Sequence, residues 1–157
     1  MKIVITGAST YGVDNMGDDG MLATLVQGLR DHCKNPKITF LARHVDKNYD
    51  NIFGFHSIKN LDHDNKKQSE GRFFLGMNKD DRTENLHLIK EKIDEADLLI
   101  IGGNSFMEIS KNNFLRGVSS YSATLATLAK FCNTPYALYG VNVVDKINSE
   151  VTMQHAK

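Results

Sequence analysis

Short apolar runs and amphipathic stretches alternate along the chain. Residues 3–5 are Ile-Val-Ile, the chain breaks at Gly7, and Leu22, Leu25, Val26 and Leu29 then fall on one face of a helical period. A helix is expected over residues 18–32, stopped by Asn35-Pro36, with a strand over 37–42. Ile52, Phe53, Phe55 and Ile58 recur at intervals that fit a third, short strand within 52–58. Residues 59–83 turn polar around Phe73, Phe74 and Leu75 and read as a surface excursion. Order returns at Asn85: Leu86, Leu88, Ile89, Ile93 and Ala96 mark a helix, and the continuously apolar 97–101 a strand covered on both faces. A polar loop over 108–117 leads to a helix over 119–132, ended by Asn133-Thr134-Pro135. A strand follows over 136–141, and residues 145–157 read as the start of another helix. This alternation predicts an α/β fold, a Rossmann-like three-layer sandwich whose mostly parallel sheet is joined by right-handed crossovers.

Length and composition narrow the class. The 157 residues, 41% apolar and 24% charged, suit one globular domain over 1–157 rather than two or a disordered chain. Nineteen basic residues balance nineteen acidic ones, so no overall field marks a nucleic-acid binder. No apolar run approaches the ~20 residues that span a bilayer, and Met1-Lys2 opens no signal peptide. Cys33 and Cys132 lack metal-ligand spacing and read as thiols of a cytoplasmic protein, a pairing between them staying open.

Candidate chemistry sits in two glycine turns that follow apolar strands, where open α/β sheets place ligands. The first carries Gly12, Asn15, Gly17, Asp18 and Asp19. Its spacing, Gly7-x4-Gly12-x4-Gly17, fits neither the dinucleotide fingerprint nor the P-loop, which needs Gly-Lys-Ser/Thr where Gly17-Asp18-Asp19 stands. Two carboxylates at a helix N-terminus also occupy the positive dipole end that a phosphate would use. Asp18 is expected to cap the helix and Asp19 to complement its dipole. The same acids, with the Asn15 amide, suit the binding of sugar hydroxyls or the activation of one. Arg43 and His44 lie just past the second strand, on the same rim if the sheet is parallel. The second turn is Gly102-Gly103-Asn104-Ser105, and Tyr139-Gly140 ends the last strand, where a core aromatic and a rim aromatic are equally open readings. No Gly-x-Ser-x-Gly elbow accompanies Ser105. His63 between Asp62 and Asp64 lies in the polar excursion and reads as a solvated loop, so no metal site is expected.

Taken in order, three motifs resemble the N-terminal half of the polysaccharide pyruvyl transferase family. The family's Asn-x-Gly-Asp-Asp/Glu at a helix start is matched by Asn15-Met16-Gly17-Asp18-Asp19, behind Tyr11-Gly12. Its Asp-Leu-Leu-Ile strand and Gly-Gly-Gly-Ser turn are matched by Asp97-Leu98-Leu99-Ile100-Ile101 and Gly102-Gly103-Asn104-Ser105. Its Pro-x-x-x-Tyr-Gly strand is matched from Pro135 to Gly140. Asn104 replaces the third glycine, and Val141-Asn142-Val143-Val144 stands where members carry Gly-x-Gly-Pro.

The resemblance, over about residues 2 to 144, implies the N-terminal domain of a two-domain fold similar to GT-B, with the ligand cleft between domains. It implies transfer of a pyruvyl group from phosphoenolpyruvate to sugar hydroxyls of a cell-surface polysaccharide, with no cofactor. The acceptor would be a sugar or lipid-linked glycan met in the cytoplasm, at the inner membrane face. Phosphoenolpyruvate-binding basic residues are expected mostly in a C-terminal domain not included in these residues, and homo-oligomerisation stays open. On this chain the resemblance and the chemistry together give Asp18 and Asp19 as catalytic candidates. Gly12, Asn15, Gly17, Arg43, His44, Gly102, Gly103, Asn104, Ser105 and Tyr139 are the substrate-binding candidates. Two other readings remain: a non-catalytic Rossmann-like binding or assembly module, and half of a GT-B glycosyltransferase using a nucleotide-sugar.

Overall fold

Five of the apolar runs pair as one parallel sheet. The computed structural model describes residues 1–6, 16–42, 45–60, 83–102, 105–106 and 118–143. In chain order its strands are β1 (Lys2–Thr6), β2 (Lys37–Ala42), β3 (His56–Lys59), β4 (Leu98–Gly102), β5 (Ser105–Phe106), β6 (Tyr136–Tyr139) and β7 (Asn142–Val143). The helices are α1 (Met16–His32), α2 (Lys47–Phe53), α3 (Thr83–Asp94) and α4 (Val118–Phe131). The main sheet runs β3-β2-β1-β4-β6, every neighbour parallel, and β5 and β7 form a separate two-stranded parallel pair.

Side chains alternate through this sheet and bury on both sides. Ile3, Ile5, Ile38, Phe40, Ala42 and Ile100 join Leu22, Leu25 and Val26 of α1 in one cluster, flanked by Tyr49 and Phe53 of α2. Val4, Leu41, Ile58, Leu99 and Ile101 join Ile89 and Ile93 of α3 and Leu125 and Ala129 of α4 in the other. The split follows from handedness. From β1 to β3 the chain steps one way across the sheet, and from β3 to β4 and β6 it steps the other. Right-handed crossovers then put the helices of the two halves on opposite faces. The expected α/β, Rossmann-like sandwich is therefore present.

Helix ends are set by local chemistry. Asn35 (φ 49°) and Asn133 (φ 56°) take the left-handed conformation just after α1 and α4, where the Asn-Pro and Asn-Thr-Pro stops were expected. Behind the second stop, the buried Thr134 donates its hydroxyl to the Ile93 carbonyl at 2.7 Å, fixing the end of α3 against the start of β6.

Several expectations need correction. Helix α1 begins at Met16, two residues before Asp18, so Asp18 is not the cap; with Asp19 it lies in the first turn. The short strand expected within 52–58 is present as β3, His56–Lys59, but the start of that stretch belongs to helix α2, which ends at Phe53. Helix α2 escaped the periodicity because it buries no residue fully; its ends hold it instead. The Asp46 carboxylate accepts from Asn48 N at 2.8 Å, and Gly54 closes the helix at φ 61°. The Arg30 guanidinium donates to the Phe53 and Gly54 carbonyls. The last strand is broken too, β6 stopping at Tyr139 and β7 resuming at Asn142. The surface excursion read over 59–83 is described only at its ends, Lys59 in β3, Asn60 and Thr83 at the start of α3; its remainder (61–82), the polar loop (108–117) and the helix read at 145–157 lie outside the described residues.

Cys33 packs with the α1 side of the core and Cys132 with the α3–α4 side. With the sheet between them, both are free thiols. Burial, then the nearby Asp94 carboxylate, pushes the Cys132 thiol above its ordinary range and away from reactivity. No described helix is long and apolar enough to cross a membrane.

Candidate functional site

In an open parallel sheet the ligand crevice forms at the carboxyl ends of the strands where the winding reverses. Here that switch point lies between β1 and β4, which pair from Ile3 with Leu98 to Thr6 with Ile101. β1 leads out of this rim into the first glycine turn, and β4 into the second. Because β1 and β2 are parallel, the connection between them must return to the base of the sheet. The N-terminus of α1 therefore starts on the rim side.

Asp18 and Asp19 stand four and three residues ahead of the fully buried Leu22, so they extend the inward face of α1 by one turn toward the rim. Both are half-buried, and Asp19 Oδ1 is shielded from solvent. Gly17 is exposed in the same turn. The positive end of the α1 dipole lies at this first turn. A pair of acceptors at this position suits hydroxyl groups or a cation and repels a phosphate.

Gly102 and Tyr139 meet across β4 and β6. A Cβ on Gly102 would lie 2.7 Å from the Tyr139 carbonyl oxygen, closer than atoms approach, so glycine is required by this strand contact. Gly140 follows at φ 60° and turns the chain out of β6. Past these two glycines the chains pair again, Ser105 with Asn142 and Phe106 with Val143. The second turn thus lies where the β4–β6 ladder breaks and resumes. Tyr139, for which a core position was open, is exposed (49%) at the end of β6. Gly12, Asn15, Arg43, His44, Gly103 and Asn104 lie outside the described residues.

Three rim groups were missed by sequence reading. Thr6 and Asn60 are buried at the carboxyl ends of β1 and β3, and Asn60 Nδ2 approaches Thr6 Oγ1 at 3.4 Å, long for a hydrogen bond. The Asn60 N–H also donates to the Ala42 carbonyl at 2.8 Å, continuing the β2–β3 ladder beyond Lys59. Lys59 supplies a cation on that rim. All three were hidden by position: Thr6 ended an apolar run, and Lys59 and Asn60 opened the polar excursion.

The opposite end of the sheet is built as an ion-paired base. Lys2 Nζ lies 3.1 Å and Lys92 Nζ 3.9 Å from Glu95, and Asp97 accepts from the Lys2 backbone N–H at 2.7 Å. The Lys2 hydrogen bond and charge, then Lys92, hold the Glu95 carboxyl below its ordinary range. A cavity of about 190 Å³ opens there among Lys2, Lys37, His56, Lys92 and Glu95. Asp97 of the Asp-Leu-Leu-Ile run belongs to this base, and its role is to tie the starts of β1 and β4 together.

No family model and no curated protein matches the chain.

Proposed function

We propose that this chain is the acceptor-side, N-terminal half of a polysaccharide pyruvyl transferase with a GT-B-like arrangement of two domains. The observation that carries the reading is convergence. The three motifs lie far apart in sequence, around residues 15–19, 97–105 and 135–140, yet they attach to β1, β4 and β6, which are neighbours in the sheet. Their glycine turns leave from the same rim, on either side of the switch point.

The chemistry fits that placement. Ketal formation needs a proton delivered to the methylene carbon of phosphoenolpyruvate, a base for the attacking sugar hydroxyl, and cations for the departing phosphate and the carboxylate. Asp18 and Asp19 supply acceptors for hydroxyls, with one of them as the base. Gly12, Asn15, Gly17, Gly102, Gly103, Asn104 and Ser105 are the acceptor-binding candidates, and Tyr139 offers an exposed ring and hydroxyl at the end of β6. Arg43 and His44 are the cations this half contributes, and a second domain supplies the remaining basic residues for the donor. The acceptor is a sugar or lipid-linked glycan presented at the inner face of the membrane.

In a two-domain version of the protein, Asp19→Asn is expected to lower pyruvyl transfer by ~100-fold or more, as loss of a general base does. Transfer at the original rate would remove Asp19 from that role. Thermal denaturation with phosphoenolpyruvate and, separately, with nucleotide-sugars tests the reaction class. Stabilisation by phosphoenolpyruvate is the expected result. Stabilisation by nucleotide-sugars alone would assign the rim to a glycosyltransferase instead.

A further inference from the structure

The connections at the base of the sheet, 33–36, 54–55, 95–97 and 132–135, are all among the described residues. On the α3–α4 face, Val4, Leu41 and Ile58 are buried beneath the helices. Strand alternation puts Lys2, Thr39 and His56, each two residues nearer the base, on that same face, with Lys37 two further along β2. Register brings them together, Lys2 opposite Lys37 and Thr39 opposite His56. The face therefore turns from apolar to cationic within one step of the period. Lys92 in the last turn of α3 and Glu95 just beyond it close the other side.

These residues line the cavity of about 190 Å³. Three ammonium groups face one carboxylate there, which leaves two positive charges over before His56 is counted. Glu95 is shared by Lys2 and Lys92, at 3.1 and 3.9 Å, and holds both at the cavity wall. Glu91 approaches Lys92 at 3.5 Å and Asp50 approaches His56 at 3.9 Å, both from outside the lining. Among the described residues no carboxylate pairs with Lys37. A surface ion pair needs one lysine for each acid. Here lysines from three elements, β1, β2 and α3, surround a single one.

We propose that this cavity binds a small phosphate dianion, free or as a phosphomonoester, held by Lys2, Lys37 and Lys92 with the Thr39 hydroxyl as a further donor. A dianion matches the two surplus charges, whereas a monovalent carboxylate would leave one uncompensated. Lysine holds phosphate as a point charge rather than through a fixed fork, which suits three ammonium groups on flexible stems. The volume is sufficient, since a cavity of about 150 Å³ holds benzene. The site lies at the opposite end of the sheet from the glycine turns and stands independently of pyruvyl transfer.

Nitrogen–proton correlation spectra of the full chain, titrated with inorganic phosphate at constant ionic strength, test this. The amides of Lys2, Lys37, Thr39 and His56 are expected to shift together and saturate, and a simple phosphomonoester should move the same set. Lys37→Gln leaves the Glu95 pairs in place and should weaken phosphate binding about three- to tenfold, as loss of one contact to a charged group does. Glu95→Gln should tighten it about threefold, because Lys2 and Lys92 are released from their shared acid. Tighter binding on removal of a charged residue is not what a damaged fold produces. Shifts that fail to saturate, that acetate reproduces equally, or that fall at the rim around Thr6 and Asn60 instead would overturn the proposal. So would an affinity left unchanged by Lys37→Gln or lowered by Glu95→Gln.

Discussion

β1 and β6 are both short apolar strands in the same parallel sheet, yet they live in different solvents. From Ile3 to Thr6, β1 is almost wholly enclosed, none of the four above 2% exposed, with α1 over one face and α3 and α4 beneath the other. Among the described residues β6 pairs with β4 on one side only, and every residue in it is exposed. The difference teaches that apolar content reports what a strand can bury and not what it does bury. The second depends on how many neighbours the winding has placed around it.

The contrast breaks most directly in the core. Ile5→Ala should lower the free energy of unfolding by about 2–5 kcal/mol in a urea titration, because a fully enclosed side chain leaves a cavity. A loss below about 1 kcal/mol would mean that β1 is not enclosed as described. At the junction of β4 with β6, Gly102→Ala forces a Cβ against the Tyr139 carbonyl and should cost about 1–3 kcal/mol in the same titration. Gly140→Ala meets no neighbouring atom, but its φ of 60° is unfavourable for alanine, so about 1 kcal/mol is expected. On the edge itself, Leu138→Ala should change stability by no more than about 0.5–1 kcal/mol. A core-sized loss there would show that β6 is covered in solution.

The smallest effect belongs to the base. Glu95 is held below its ordinary range by Lys2 and Lys92, so its ionised form is favoured in the folded state. Its contribution is present above the ordinary glutamate range and is lost as pH falls through the lowered folded value. Urea titrations from neutral to acidic pH should therefore show a slight advantage of the native chain over Glu95→Gln that closes on acidification. An advantage unchanged by pH would assign the effect to packing.

Much of the main sheet was legible in the sequence. β2 falls on its expected residues, and β1, β4, α3 and α4 lie within two residues of theirs, because each carries an apolar period strong enough to outweigh context. α2 was not legible through periodicity, since its stability comes from Asp46, Gly54 and Arg30 at its ends. Those signals, a capping Asp followed by a stopping Gly, were in the sequence and were outweighed by the apolar run that overlaps them. Of the site, the two glycine turns were visible as breaks after strands. Thr6 and Asn60 were not, because their approach across the rim exists only once β3 lies two strands from β1.

The sequence by itself determined most of the elements, the strands β1, β2 and β4 and the helices α1, α3 and α4, and that the central strands are buried on both faces, all consequences of residue type and local period. The tertiary structure alone decided the order β3-β2-β1-β4-β6, the reversal beside β1, and the unequal burial of strands that look alike. The reason is physical. Strand order is settled by right-handed crossovers competing for two faces of one sheet, a long-range packing condition that no local window of residues contains.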